Sequence, residues 1–208
     1  MIGLKNPRIV KRFIFLMGIA TFIMFSVWMM INNYKGATGG DYEVRQGDIL
    51  LSDEKYVEAI KAFDKALAIQ PNHRGALSGQ AVALMGLKKY KEAESVLSYL
   101  IAYLIKTLSP DDPTGKGALA AAYANRGIIQ DRRGFYEAAL KDYVESIRLD
   151  RDLADGPGVI QRILRYDKKP SSILGRANYI YEQLKLPKAE RVMRVPEEDA
   201  KQLRYKPR

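Results

Sequence analysis

His73 is the sole histidine of the 208-residue chain, and there is no cysteine. A thiol nucleophile, a zinc ribbon and a two- or three-histidine metal site are therefore excluded for one copy of the chain. His73 itself falls in a turn-forming run, QPNHRG, where a polar surface residue is expected. The adjacent acids Asp111-Asp112 and Glu197-Glu198 stand beside prolines, in turn and cap contexts that already account for them. Gly156-Pro157-Gly158 has neither the spacing nor the lysine of a phosphate-binding loop. These residues support no catalysis, no metal and no cofactor. What remains is the chemistry of binding, and that depends on the elements that shape a surface.

Those elements follow a repeated spacing. Gly47 and Leu50 on one helical pattern are followed by Tyr56, Ala59, Phe63 and Ala66 on the next, and Pro71 closes the unit. Thirty-four positions on, Ala81, Leu84, Tyr90, Ala93 and Leu97 repeat the series. After an insertion, SPDDPTGK, Gly127, Tyr136, Ala139 and Tyr143 repeat it again. Small residues at these offsets let two helices approach, with Gly47 expected to face Ala59 while Phe63 and Tyr56 fill the space beside them. The pattern resembles the tetratricopeptide repeat, a helix–turn–helix unit of about 34 residues. The resemblance implies an all-α chain with three units at about 40–73, 74–109 and 117–150 inside a repeat region 41–153. A degenerate helical pair at 154–186 would cap the stack, and an extended basic tail would occupy 187–208. Within the cap, residues 159–167 read as a short helix. Ile173, Leu174, Ala177, Ile180, Tyr181 and Leu184 form one apolar stripe on a second helix over 172–186.

Ahead of the repeats, residues 13–31 contain no charge. As a helix they span roughly 29 Å, close to a bilayer core of about 30 Å. Lys5, Arg8, Lys11 and Arg12 precede this run, whereas only Lys35 and Arg45 follow it closely. The positive-inside rule then places residues 1–12 in the cytoplasm and the repeats on the far side, in the periplasm if the membrane is a bacterial inner membrane. The run is longer than a signal-peptide core and lacks a nearby small-residue cleavage site, so it reads as a single-pass signal anchor. Residues 32–40, NNYKGATGG, read as a flexible linker. In the second unit, the apolar stretch SVLSYLIAYLI is too short to cross a membrane and reads as a core helix.

The net charge of +10 does not indicate nucleic acid. Residues 41–150 hold fifteen Lys/Arg against sixteen Asp/Glu, so the excess lies at the two ends. In the tail, Val192, Met193, Arg194, Val195, Leu203 and Tyr205 mix apolar and basic groups, which suits docking onto a partner in extended form; a solvated end and contact with anionic lipid headgroups are the alternatives. In an array of the resembling kind, the first helix of each pair lines a groove. Here that lining would be Val44, Asp48, Leu51, Ser78, Val82, Met85, Ala124, Ile128 and Asp131. Some members of the family grip a chaperone's terminal carboxylate through Lys and Asn at such offsets. This chain has Val44, Asp48, Ser78 and Val82 there, so that clamp is missing, and the groove suits an apolar or helical peptide. The alternative is that it covers the chain's own C-terminal helix. The resemblance implies a membrane-anchored scaffold that binds protein partners and takes no small-molecule substrate. Two alternatives are a permanent accessory subunit of a membrane enzyme and a cytosol-facing import receptor.

Overall fold

The computed structural model describes residues 7–35, 39–154 and 172–196, together with Gln202 and Arg204. The helices are α1 (Pro7–Lys35), α2 (Asp41–Ser52), α3 (Tyr56–Ile69), α4 (Arg74–Gly86), α5 (Tyr90–Thr107), α6 (Pro113–Arg132), α7 (Tyr136–Leu149), α8 (Arg151–Ala154) and α9 (Ile173–Lys185). A single 3₁₀ turn follows at Lys188–Glu190. The short helix expected over 159–167 lies outside the described residues.

α1 is a candidate membrane span, with a mean hydropathy of 2.3 in its most apolar window and none of that window buried against the rest of the chain. It starts at Pro7, a residue favoured in the first helical turn, and runs through Arg8, Lys11 and Arg12 without a breaker. It also continues to Lys35, into the stretch expected to be a linker. The far end of that stretch is a fixed turn: Gly40 is buried, with φ 95°. A Cβ there would stand 3.0 Å from the Ala66 carbonyl oxygen at the end of α3. Glycine is needed at that point for close approach in a left-handed conformation, a different role from flexibility.

The pairs α2–α3, α4–α5 and α6–α7 pack internally, each pair packs on the next, and α9 lies on α7. Each first helix ends in the same way. The amides of Lys55, Lys89 and Phe135 reach back to the carbonyls of Leu50, Leu84 and Gln130, at 2.9, 2.9 and 2.8 Å. Those of Glu54, Lys88 and Gly134 bond the carbonyls of Leu51, Met85 and Asp131. This is the Schellman closure, with its left-handed residue at Glu54 (φ 60°), Lys88 (φ 59°) and Gly134 (φ 83°). Other helix ends are capped by side chains: Asp112 accepts from the Gly115 amide at 2.7 Å with Pro113 in the first turn, and Ser172 accepts from the Gly175 amide at 3.0 Å.

The glycine–aromatic packing differs from the expected one. Gly47 makes room for the ring of Phe63, which lies 2.5 Å from where a Gly47 Cβ would stand, and not for Ala59. The same ring lies 2.3 Å from the corresponding point on Gly79. Phe63 is thus held between two successive first helices and is fully buried, a burial that stabilises by about 3 kcal/mol. Gly127 admits the ring of Tyr143 in the same way. In the middle unit both positions change: Ala81 and the smaller Leu97 stand there, both fully buried in the same core. α5 buries Leu97, Leu100, Ile101 and Leu104 in the main core, so its apolar run is accounted for by packing.

Candidate functional site

The expected groove residues do not form an open surface. Val44, Ser78, Val82, Met85, Ala124, Ile128 and Asp131 are buried, and Asp48 and Leu51 are half-buried. Successive first helices touch one another, α2 against α4 and α4 against α6, so the residues on those faces are packed between neighbours. At the third unit the covering comes from the C-terminal part of the chain. Arg176 of α9 grips Asp131 with two hydrogen bonds, Nε to Oδ2 and Nη2 to Oδ1, both 2.7 Å. These side chains are only 4% and 2% exposed. A buried ion pair needs every remaining polar group satisfied, and here most are. Arg176 Nη2 also donates to the Met193 carbonyl at 2.9 Å, and its guanidinium lies 5.3 Å over the Tyr179 ring. The Tyr143 hydroxyl donates to Asp131 at 3.1 Å and accepts from Gln202 Nε2 at 2.9 Å. Burial, and then the Asp131 charge, push the Tyr143 hydroxyl well above its ordinary pKa, so it remains a donor.

The tail residues expected to dock on a partner are, where described, docked on this chain. Tyr179 donates to the Val192 carbonyl at 2.5 Å, and the Val192 amide donates to Gln183 at 2.7 Å. Met193 packs against the main core, and Arg194 donates to the Arg132 carbonyl at the end of α6. Val195 is half-buried, while the Val192 side chain stays exposed. Leu203 and Tyr205 lie outside the described residues. Farther along, Arg204 Nη2 donates to the Tyr56 hydroxyl at 3.1 Å, and its guanidinium stacks 5.2 Å from the Tyr56 ring centre.

His73 is not a surface residue. It is 9% exposed and caps α4, its Nδ1 accepting from the Ala76 amide at 3.4 Å while Nε2 donates to Asp41 at 2.8 Å. Imidazole has a ring nitrogen able to accept, so it can stand in for the usual Ser or Asp cap. Asp112 adds an ion pair with Arg74 at 2.6 Å to its cap. A second bidentate pair, Arg126 to Asp142 at 2.6 and 2.8 Å, ties α6 to α7, and Arg126 also reaches Ser98 of α5 at 3.2 Å. Among the described residues no group of three or more His, Asp or Glu side chains could hold a metal ion. Sequence reasoning missed Arg176, Gln202 and Arg204. A signal existed for Arg176 alone, a charge set among Ile173, Ala177 and Ile180 on the apolar stripe.

The tetratricopeptide-repeat family profile matches residues 50–104. A solved structure described as the first TPR of Spaghetti (RPAP3) bound to the HSP90 peptide SRMEEVD superposes with a TM-score of 0.52 at 20% identity, covering 71% of this chain and 94% of that one. The first TPR domain of human RPAP3 gives 0.47 at 22% identity, with 67% and 95% covered. No curated protein matches the sequence. The repeat spacing, the profile match and the packed helix pairs agree: residues 50–104 match the tetratricopeptide-repeat family, within an all-helical fold that follows a candidate membrane-spanning helix.

Proposed function

We propose that the chain is a membrane-anchored scaffold that binds protein partners to assemble, recruit or stabilise a membrane-associated complex, without catalysis. The observation that carries this reading is the juxtaposition of a repeat array with an apolar helix whose side chains find no cover among the described residues. Confinement to the bilayer surface raises the local concentration of scaffold around membrane partners, so that a weak contact becomes effective. The excess of Lys/Arg ahead of α1 supports a cytoplasmic N-terminus and repeats on the periplasmic side of a bacterial inner membrane. The peptide held by the solved neighbour supports binding of extended polypeptides by this architecture, although the residues of a carboxylate clamp are absent here. Val44, Asp48, Ser78 and Val82 stand in their place.

The test is recovery of partners by the full-length chain from membranes in mild detergent. A scaffold returns one or a few membrane-associated proteins in constant ratio. Return of none overturns the reading. Partners that persist through high salt at fixed stoichiometry would instead make this chain a permanent subunit.

A further inference from the structure

Tyr56, Tyr90 and Tyr136 occupy equivalent positions at the start of each second helix. Over Tyr90 the next first helix, α6, supplies Arg132, whose guanidinium lies 5.9 Å from the ring centre and donates to the hydroxyl at 3.3 Å. Forty-six positions earlier, at the equivalent end of α4, the chain has Gly86. A Cβ at Gly86 would stand 2.6 Å both from the Tyr56 ring and from Arg204 Nη1. The corner over Tyr56 thus has the same ring and hydroxyl but no arginine on the repeat itself. Arg204, 148 positions away in sequence, supplies it. Cation–π stacking plus one donated hydrogen bond is a specific recognition of guanidinium, since an ammonium group lacks the planar face.

We propose that the Tyr56–Gly86 corner is a guanidinium-binding site for an extended polypeptide, and that the chain's own C-terminal segment at Arg204 is its resident occupant. The inference rests on the repeats being a protein-binding scaffold and states which side chain an incoming segment must present. Met193 and Arg194 sit at the third unit, Gln202 bonds Tyr143 of α7, and Arg204 reaches Tyr56 of α3. The described tail residues thus touch the third unit at Arg194 and Gln202 and the first at Arg204. Gln202 and Arg204 are only half-buried, so their hold can be exchanged for that of a competing segment.

The probe is a fluorescent synthetic peptide with the sequence of residues 199–208, titrated against the full-length chain in detergent. A site filled by its own tail about 90% of the time binds an added ligand about tenfold more weakly than the same site emptied. R204A is therefore expected to bind the peptide about tenfold more tightly than the wild type, and R204K to fall between them with its helicity and Tm unchanged. A peptide with alanine at the position of Arg204 is expected not to bind. Equal affinity of wild type and R204A, binding of the alanine peptide, or binding to neither protein overturns the proposal. Should R204A fail to fold, R204K against wild type decides by the same readout. If the peptide arm fails while the wild type still recovers membrane partners, only the resident-tail inference falls. Absence of any partner removes the scaffold reading itself.

Discussion

Asp131 and Arg176 show how a single buried pair can join distant parts of the chain. The two are 45 positions apart, and their bonds fasten α9 and the Met193 carbonyl onto α6. Replacing one partner leaves a charge buried without compensation, a loss of about 3–5 kcal/mol, whereas an apolar pair of similar volume is close to neutral. D131N and R176M should each lower Tm by on the order of 10 °C, and the double variant D131L/R176M by much less. Thermal melts followed by circular dichroism check this. An additive double variant would mean the pair is not coupled. Asp112 makes a pH prediction of the opposite kind. The Gly115 amide, then Arg74, hold its carboxyl below the ordinary value of 3.8. A carboxyl depressed in the folded state stabilises fully above its unfolded pKa, and this is lost as pH falls through the folded one. Stability should thus decline below about pH 4, and D112N should flatten that part of the profile. A wild-type profile already flat there would contradict the assignment.

At the scale of the helix, the three Schellman turns offer an internal comparison. Gly134 takes the left-handed conformation without strain, but Glu54 and Lys88 hold it at a cost set by their Cβ atoms. E54G and K88G should therefore each stabilise by about 0.5–1 kcal/mol, and G134A should destabilise by about 1 kcal/mol. Chemical denaturation with unchanged slope is the measurement, and a destabilising E54G would show that the Glu54 side chain matters more than its φ. Packing around Phe63 predicts a larger effect: G79A pushes a Cβ into the ring and should cost about 1–3 kcal/mol. Much of this scale was legible in the sequence. Helix pairs, the Asp112 cap and the apolar stripe of α9 follow from periodicity and local chemistry, whereas the cap of α9 is Ser172 and not the neighbouring Ser171 that the spacing suggests. Other features depend on contacts between units, which spacing within one unit does not encode. Phe63 needs Gly79 as well as Gly47, and Gly86 acquires meaning only once Arg204 has folded back. His73 was misread because its cap uses a ring nitrogen, an uncommon donor–acceptor pattern beside the usual Ser, Thr, Asp and Asn.

For the whole molecule, the proposed periplasmic placement of the repeats rests on the balance of charge across α1, the candidate span. Arg8, Lys11 and Arg12 stand on its first turns, whereas Lys35 is the only Lys or Arg between the apolar run and α2. Positive charge close to a span resists translocation, so this asymmetry favours repeats on the trans side. The bilayer would then cover apolar side chains that are half or more exposed along the helix, among them Phe22, Met24, Trp28 and Met30. In sealed inside-out vesicles of a bacterial inner membrane, whose outer face is cytoplasmic, added protease should leave the repeats intact and remove them only after detergent. Moving the charge should reverse this: alanine at Arg8, Lys11 and Arg12 with lysine at Asn32 and Asn33 is expected to bring the repeats to the cytoplasmic face. The reversed variant also tests tethering, because its repeats would be anchored beside the wrong compartment and should lose partners bound by the wild type, although every repeat contact is unchanged. Cleavage of wild-type repeats in intact inside-out vesicles would reject the periplasmic placement and favour a cytosol-facing receptor. A reversed variant that keeps its partners would separate binding from membrane topology and leave α1 with retention at the membrane as its role.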